Sequence, residues 1–283
     1  MWIDDKVNFS DGSFNDKKFS ITVNVYASGE VIENSDVYYD IDSVIDSFSE
    51  EELKEVVMCS NIESNNTLYY DCVVYETLEE AIEARDKGVI ILTNDKTANK
   101  NIEFSEDKEI VVDLNNHIID LKGKYFRNYG TLSINDSGNN GSIVSTGQAL
   151  NNSGNGKLIV NGGSYNRSTG TGTTVYNEGT GKIVINDGVF TNSANGSCVQ
   201  NGVTGVENGG NVEINGGVFI SYNFSAIRNP SIGIINIDST NNPIYITSLA
   251  KAWQPAVHNG ATGTINIGGS EANKCTNNSS DTI

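Results

Sequence analysis

Between residues 128 and 268 short runs of alternating apolar and polar residues recur along the chain. Leu132 and Ile134, Leu158 and Val160, Ile183 and Ile185, Val212 and Ile214, Ile235 and Ile237, and Ile265 and Ile267 each mark one side of a four- or five-residue segment. Alternation with period two predicts strands with one buried face. Each run is introduced by a Gly, and an Asn stands two or four residues before that Gly: Asn128, Asn152, Asn177, Asn208, Asn229 and Asn259. These asparagines lie 24, 25, 31, 21 and 30 residues apart. A repeat in the twenties built on short strands predicts a solenoid, in which each coil buries its apolar face only against its neighbours.

The rest of the repeat completes the coil. A turn of Asn-Gly-Gly or Asn-Asp-Gly type leads into a second strand with an early aromatic residue, Tyr165, Phe190 or Phe219. A third short strand precedes the repeating Asn, as in Ala149-Leu150, Val175-Tyr176, Ala226-Ile227 and Ala256-Val257. Three short strands per coil, separated by Gly and Asn turns, predict a mainly β fold: a right-handed single-stranded parallel β-helix with like residues stacked about 4.8 Å apart. An Asn at the same inward turn of every coil can bond the backbone above and below through its amide, so the ladder is read as structural.

The first part of the chain reads differently. Phe19 to Tyr26 alternates as a strand, and Ile41, Val44, Ile45 and Phe48 recur at helical spacing. Ser49-Glu-Glu-Glu52 has the form of a capping box opening a helix with Leu53, Val56 and Val57 on one face. A second box, Thr77-Leu-Glu-Glu80, predicts a helix with Leu78, Ala81 and Ile82 inward and Gly88 at its end. Strands follow at Val89–Leu92, Ile110–Leu114 and Ile118–Leu121. The expected division is an acidic α/β region over 1–75, a β-helix with an amino-terminal capping helix over 76–270, and a polar tail over 271–283.

Charge supports that division. Residues 1–125 hold 28 acids and 11 bases, whereas residues 126–270 hold six of each, out of a total net charge of -18. An acidic block repels nucleic-acid phosphate and anionic membrane surfaces, so neither is an expected partner. No apolar run is long enough to span a membrane, and the start Met1-Trp-Ile-Asp-Asp-Lys lacks the layout of a secretory signal. The content of 29 Gly and 3 Pro suits tight repeated turns.

Candidate chemistry is sparse. Cys59, Cys72, Cys198 and Cys275 are far apart and the only histidines are His117 and His258, so no metal site and no cofactor is expected. Cys59 and Cys72 are read as two separate buried thiols, with a bridge between them as the alternative in an oxidising setting. Asp136 and Asp187 match in the repeat but sit two coils apart, each after an Asn and before a turn Gly, which reads as turn chemistry. The Gly-Thr-Gly-Thr-Thr run at 170–174 is not followed by the helix that a phosphate loop requires. What remains is a surface of short polar side chains with aromatic residues able to stack on sugar rings. The candidates are Tyr165, Tyr176, Tyr222, Tyr245 and Trp253, the last lying where the repeat is interrupted before Ala256.

The stretch from Thr77 to Asp136, with its helix, the strands Val89-Ile-Ile-Leu92 and Ile110-Val-Val-Asp-Leu114, and Gly130-Thr-Leu-Ser-Ile-Asn-Asp136, resembles the opening of pectin-lyase-like β-helix proteins. The Ile-Asn-Gly-Gly-Val-Phe repeat is similar to those of bacterial surface adhesins and of phage fibres or spikes with that fold. The resemblance covers about two thirds of the chain and specifies architecture rather than activity. It implies three functions: a non-enzymatic virion fibre, spike or decoration protein, a bacterial adhesin, or a polysaccharide lyase or hydrolase. The first is preferred because the chain begins with its own Met and carries no export signal. The corresponding location is the virion or the cell surface. The expected partners are a cell-surface glycan or other virion proteins, and the phage resemblance implies a homotrimer.

Overall fold

The structure is a computed structural model that describes residues 49, 56–64, 67–203, 209–250, 254–260, 262–268 and 274–277. It is a mainly β, parallel β-solenoid. The expected strand at Phe19–Tyr26, the helical spacing of Ile41 to Phe48, and Leu53 lie outside the described residues.

The coil begins with β3 (Lys87–Leu92), β4 (Lys96–Thr97) and β5 (Ile102–Phe104), and the same three-strand order is then repeated along the chain. Each strand pairs in parallel with its counterpart in the next coil, giving sheets of ten, eight and seven strands. Each strand of the seven-stranded sheet closes one coil. The register keeps like residues together: Leu158 lies between Leu132 and Ile183, and Val160 between Ile134 and Ile185. These aliphatic columns are buried and form the core with the inward residues of the other two sheets, except in the last coil, where Ile265 is half-buried and Ile267, expected inside, is exposed because no further described strand of that sheet covers it. In the eight-stranded sheet, Tyr165, Phe190 and Phe219 stack face to face, with centroids 4.8 and 4.9 Å apart and planes within 7° and 4°. That separation is the strand spacing itself, so the backbone ladder sets the ring stack. Ile143 and Ile246 continue the column on either side.

The amino-terminal end of the solenoid is closed by two devices. One is α1 (Leu78–Ala84), whose N-cap Thr77 accepts a bond from Glu80 N at 3.2 Å and whose Leu78, Ala81 and Ile82 are buried against the core. The other is a hairpin of β1 (Val56–Ser64) and β2 (Thr67–Tyr75), in which β1 pairs antiparallel with β3. An open sheet edge invites pairing with another chain, and the hairpin reverses strand direction at that edge.

Here the structure corrects three expectations. Val56 and Val57 are in a strand, not on a helix: both are β-branched, and β3 offers an edge on which they are buried. Gly88 does not end the helix, which stops at Ala84 with Arg85 extended. It lies in β3 at φ 154°, where an added Cβ would fall 2.6 Å from the Cys59 carbonyl oxygen, so a close strand crossing requires the glycine. Cys59 and Cys72 are not separate thiols; they face each other in the hairpin with Cα atoms 4.0 Å apart and form a disulfide.

Hydrogen bonding continues across both expected boundaries. The hairpin before residue 76 belongs to the ten-stranded sheet, and Lys274–Asn277, within the expected tail, pairs with Ile244–Ser248.

Candidate ligand-binding row

Each strand of the seven-stranded sheet is about three residues long, and its positions have different fates. The first residue is apolar and enters the core, as with Phe126, Leu150, Val175, Val199 and Ile227. The third is an inward asparagine in every strand after the first, where Phe104 takes the place. The second, of opposite parity, faces out.

The inward asparagines form a continuous amide ladder. Asn128 Nδ2 donates to Asn152 Oδ1 at 2.8 Å, Asn152 to Asn177 at 2.9 Å, and Asn177 to Asn201 at 2.9 Å. Longer rungs run from Asn201 to Asn229 at 3.4 Å and from Asn229 to Asn259 at 3.3 Å. The same Nδ2 groups also bond the carbonyl of the following turn glycine, as with Asn152 to Gly156 O at 2.7 Å and Asn229 to Gly233 O at 2.7 Å. Asn208, expected in the fourth rung, lies outside the described residues, and Asn201 fills that rung. Asn201 reaches Gly210 O at 2.8 Å across nine residues, where Asn128 uses two and the other coils four. A longer turn in this coil moved the asparagine away from its glycine, and the spacing rule followed the glycine. The ladder amides are spent on one another and on the backbone.

A second amide ladder runs outside, at the turn after the ten-stranded sheet. Asn161 donates to Asn135 at 2.8 Å, Asn186 to Asn161 at 2.7 Å and Asn215 to Asn186 at 2.9 Å. Beside it Asp136 accepts from Asn116 N at 3.1 Å and Gly141 N at 2.7 Å, and Asp187 accepts from Gly188 N at 2.7 Å. Both carboxylates hold turns. The Gly-Thr-Gly-Thr-Thr run wraps the buried Arg167, whose guanidinium donates to Thr171 O at 2.5 Å and Thr173 O at 3.4 Å. Buried Cys198 donates to Phe190 O at 3.3 Å, and burial pushes its thiol pKa up. His117 sits 3.6 Å from Asp95. Among the described residues no three His, Cys, Asp or Glu side chains cluster in a way that could hold a metal ion, and no helix is long and apolar enough to cross a membrane.

The outward positions of the seven-stranded sheet are Glu103, Arg127, Asn151, Tyr176, Gln200, Arg228 and His258, stacked in register coil upon coil; the row from Arg127 to His258 holds no acid of its own. Although they face out, Asn151 is only 2% exposed and Tyr176 8%, so the row is sunk into the surface. Its walls are polar. Glu178 Oε2 accepts from Asn151 Nδ2 at 3.0 Å and Ser153 Oγ at 2.8 Å and lies 3.8 Å from Arg127. Arg127 lies 5.0 Å over the Tyr125 ring, and Thr173 Oγ1 donates to Gln200 Oε1 at 3.4 Å. At the far end Arg228 lies 5.4 Å over the Phe224 ring, and Ser225 Oγ donates to Gln254 Oε1 at 3.3 Å. Burial lowers the pKa of Arg228; burial, then the charge of Arg228, lowers that of His258.

The aromatic candidates separate on this surface. Tyr165 is fully buried between Ile143 and Phe190, and its hydroxyl donates to Gly162 O at 2.8 Å. It presents no ring face to a ligand, because the second-strand aromatic position points inward. Tyr176 belongs to the row but offers little more than its edge. Tyr222 and Tyr245 are 45% and 47% exposed on the eight-stranded sheet, away from the row, with Tyr245 in the outward column of Val189 and Val218. Trp253 lies outside the described residues. Arg127, Asn151, Gln200 and Arg228 were missed by a reading that looked for aromatics and carboxylates. Their signal is simple: each is the residue immediately before a ladder asparagine.

No family model, curated protein or solved structure matches the chain.

Proposed function

We propose that the chain is a non-enzymatic binding protein displayed outside the cell, which holds glycans along the sunken row of its seven-stranded sheet. The preferred setting is a virion, as a fibre, spike or decoration protein of the pectin-lyase-like β-helix type, assembled as a homotrimer and joined to other virion proteins through its acidic amino-terminal region. The observation that carries the reading is the row itself. Amides, guanidinium groups, an imidazole and a phenol recur at one spacing, and these planar donors and acceptors bond sugar hydroxyls and pack on sugar rings. A repeating row suits a repeating polymer, since weak contacts at successive coils add through avidity.

The Cys59–Cys72 bridge suits a second setting equally, a bacterial cell-surface adhesin. Structural disulfides persist in oxidising compartments, which include virion and cell surfaces alike. Exposure of the protein to an array of immobilised glycans tests the binding reading; retention on a defined glycan class is expected, and retention on none rejects it. Light scattering tests the assembly, with a persistent monomer counting against the fibre.

A further inference from the structure

The two ends of the row differ in charge. At one end Arg127 stands in register beside Glu103 and lies 3.8 Å from Glu178. At the other, Arg228 and His258 are adjacent in register, and among the described residues no carboxylate pairs with Arg228. This is unexpected in a chain with a net charge of -18, where acids outnumber bases 36 to 18. Arg228 is held in place by stacking on Phe224 rather than by an acid. His258 Nδ1 is buried and has no hydrogen-bond partner. A half-buried guanidinium and an unsatisfied ring nitrogen side by side both cost stability unless a ligand satisfies them.

We propose that Arg228 and His258 form a subsite for a carboxylate-bearing sugar at the carboxyl-terminal end of the row. The guanidinium fork matches a carboxylate in bidentate geometry. The His258 ring lies beside the guanidinium in register, and Gln254, which accepts from Ser225 Oγ, stands close by for the sugar hydroxyls. The subsite rests on the reading of the row as a glycan site and narrows it from any glycan to one with an acidic residue.

The chain has two histidines, so imidazole NMR reports the subsite directly and His117, beside Asp95, serves as an internal control. The full protein is titrated with a uronate-containing hyaluronan tetrasaccharide, with 3′-sialyllactose and with neutral lactose. The His258 ring resonances are expected to shift saturably with at least one acidic sugar while those of His117 stay fixed, and which sugar acts separates a ring uronate from a terminal sialic carboxylate. Arg228→Gln is expected to weaken that affinity about tenfold or more, the value of a charge-assisted bond. In the wild-type protein, added salt weakens the acidic sugar and not lactose. The subsite is rejected if lactose shifts His258 equally, or if Arg228→Gln binds the acidic sugar as well as the wild type does; the row would survive either result. Absence of binding by any sugar, here and on the glycan array, rejects both.

Discussion

At the residue scale the protein uses asparagine in two ways, and burial separates them. Asn177 is fully buried and bonds Gly181 O and Asn201 Oδ1 while accepting from Asn152. Asn177→Ala leaves an inward carbonyl and two amides short of partners, and a loss of about 2 kcal/mol in denaturant unfolding is expected. Asn186→Ala, on the exposed outer ladder, lets water replace the lost bonds and is expected to cost about 0.5 kcal/mol or less. Equal losses would mean that the inward amides carry no special role. His258 adds a dependence on pH. Its native pKa lies below the unfolded value of about 6.5, so between the two the unfolded chain binds more protons. Stability therefore falls as pH drops through 6.5 toward the native pKa. Unfolding of the wild type and His258→Gln, compared well above and well below that value, should show the wild type losing more on acidification.

At the element scale the strands were legible and the caps were partly so. Period-two alternation between Leu132 and Ile267 identified six strands of the ten-stranded sheet, because each coil buries one face in the same way. The capping box at Thr77 located α1, because cap chemistry is local. Val56 and Val57 were misplaced, since they answer to a partner strand more than 30 residues later, which local propensity does not record. The row was visible only after the third strand had a register: Arg127 and Arg228 are 101 residues apart in sequence and share a column only because five successive coils place them there. The hairpin carries its own prediction. The disulfide closes a separation of 13 residues in the segment that covers the sheet end. Cys59→Ser with Cys72→Ser is expected to lower stability by about 3 kcal/mol. An unchanged midpoint under reducing conditions would show that the cap holds without it.

At the scale of the whole molecule the solenoid is one-dimensional. Each coil touches its two neighbours, so the interior is spent on stacking and every recognition feature has to lie on an outer face. The faces are unlike. The ten-stranded sheet carries the outer asparagine ladder at its turn, the eight-stranded sheet exposes Val189 and Tyr245, and the seven-stranded sheet holds the sunken row of Arg127, Asn151, Tyr176, Gln200, Arg228 and His258. The account's central claim is that ligand binding belongs to the third of these. The direct test is glycan-array retention of the wild type against Gln200→Ala, in the middle of the row, and Thr191→Ala, on the outer face of the eight-stranded sheet. Gln200→Ala is expected to lose about tenfold in affinity while Thr191→Ala retains it; the reverse pattern, or equal retention by both, would contradict the claim.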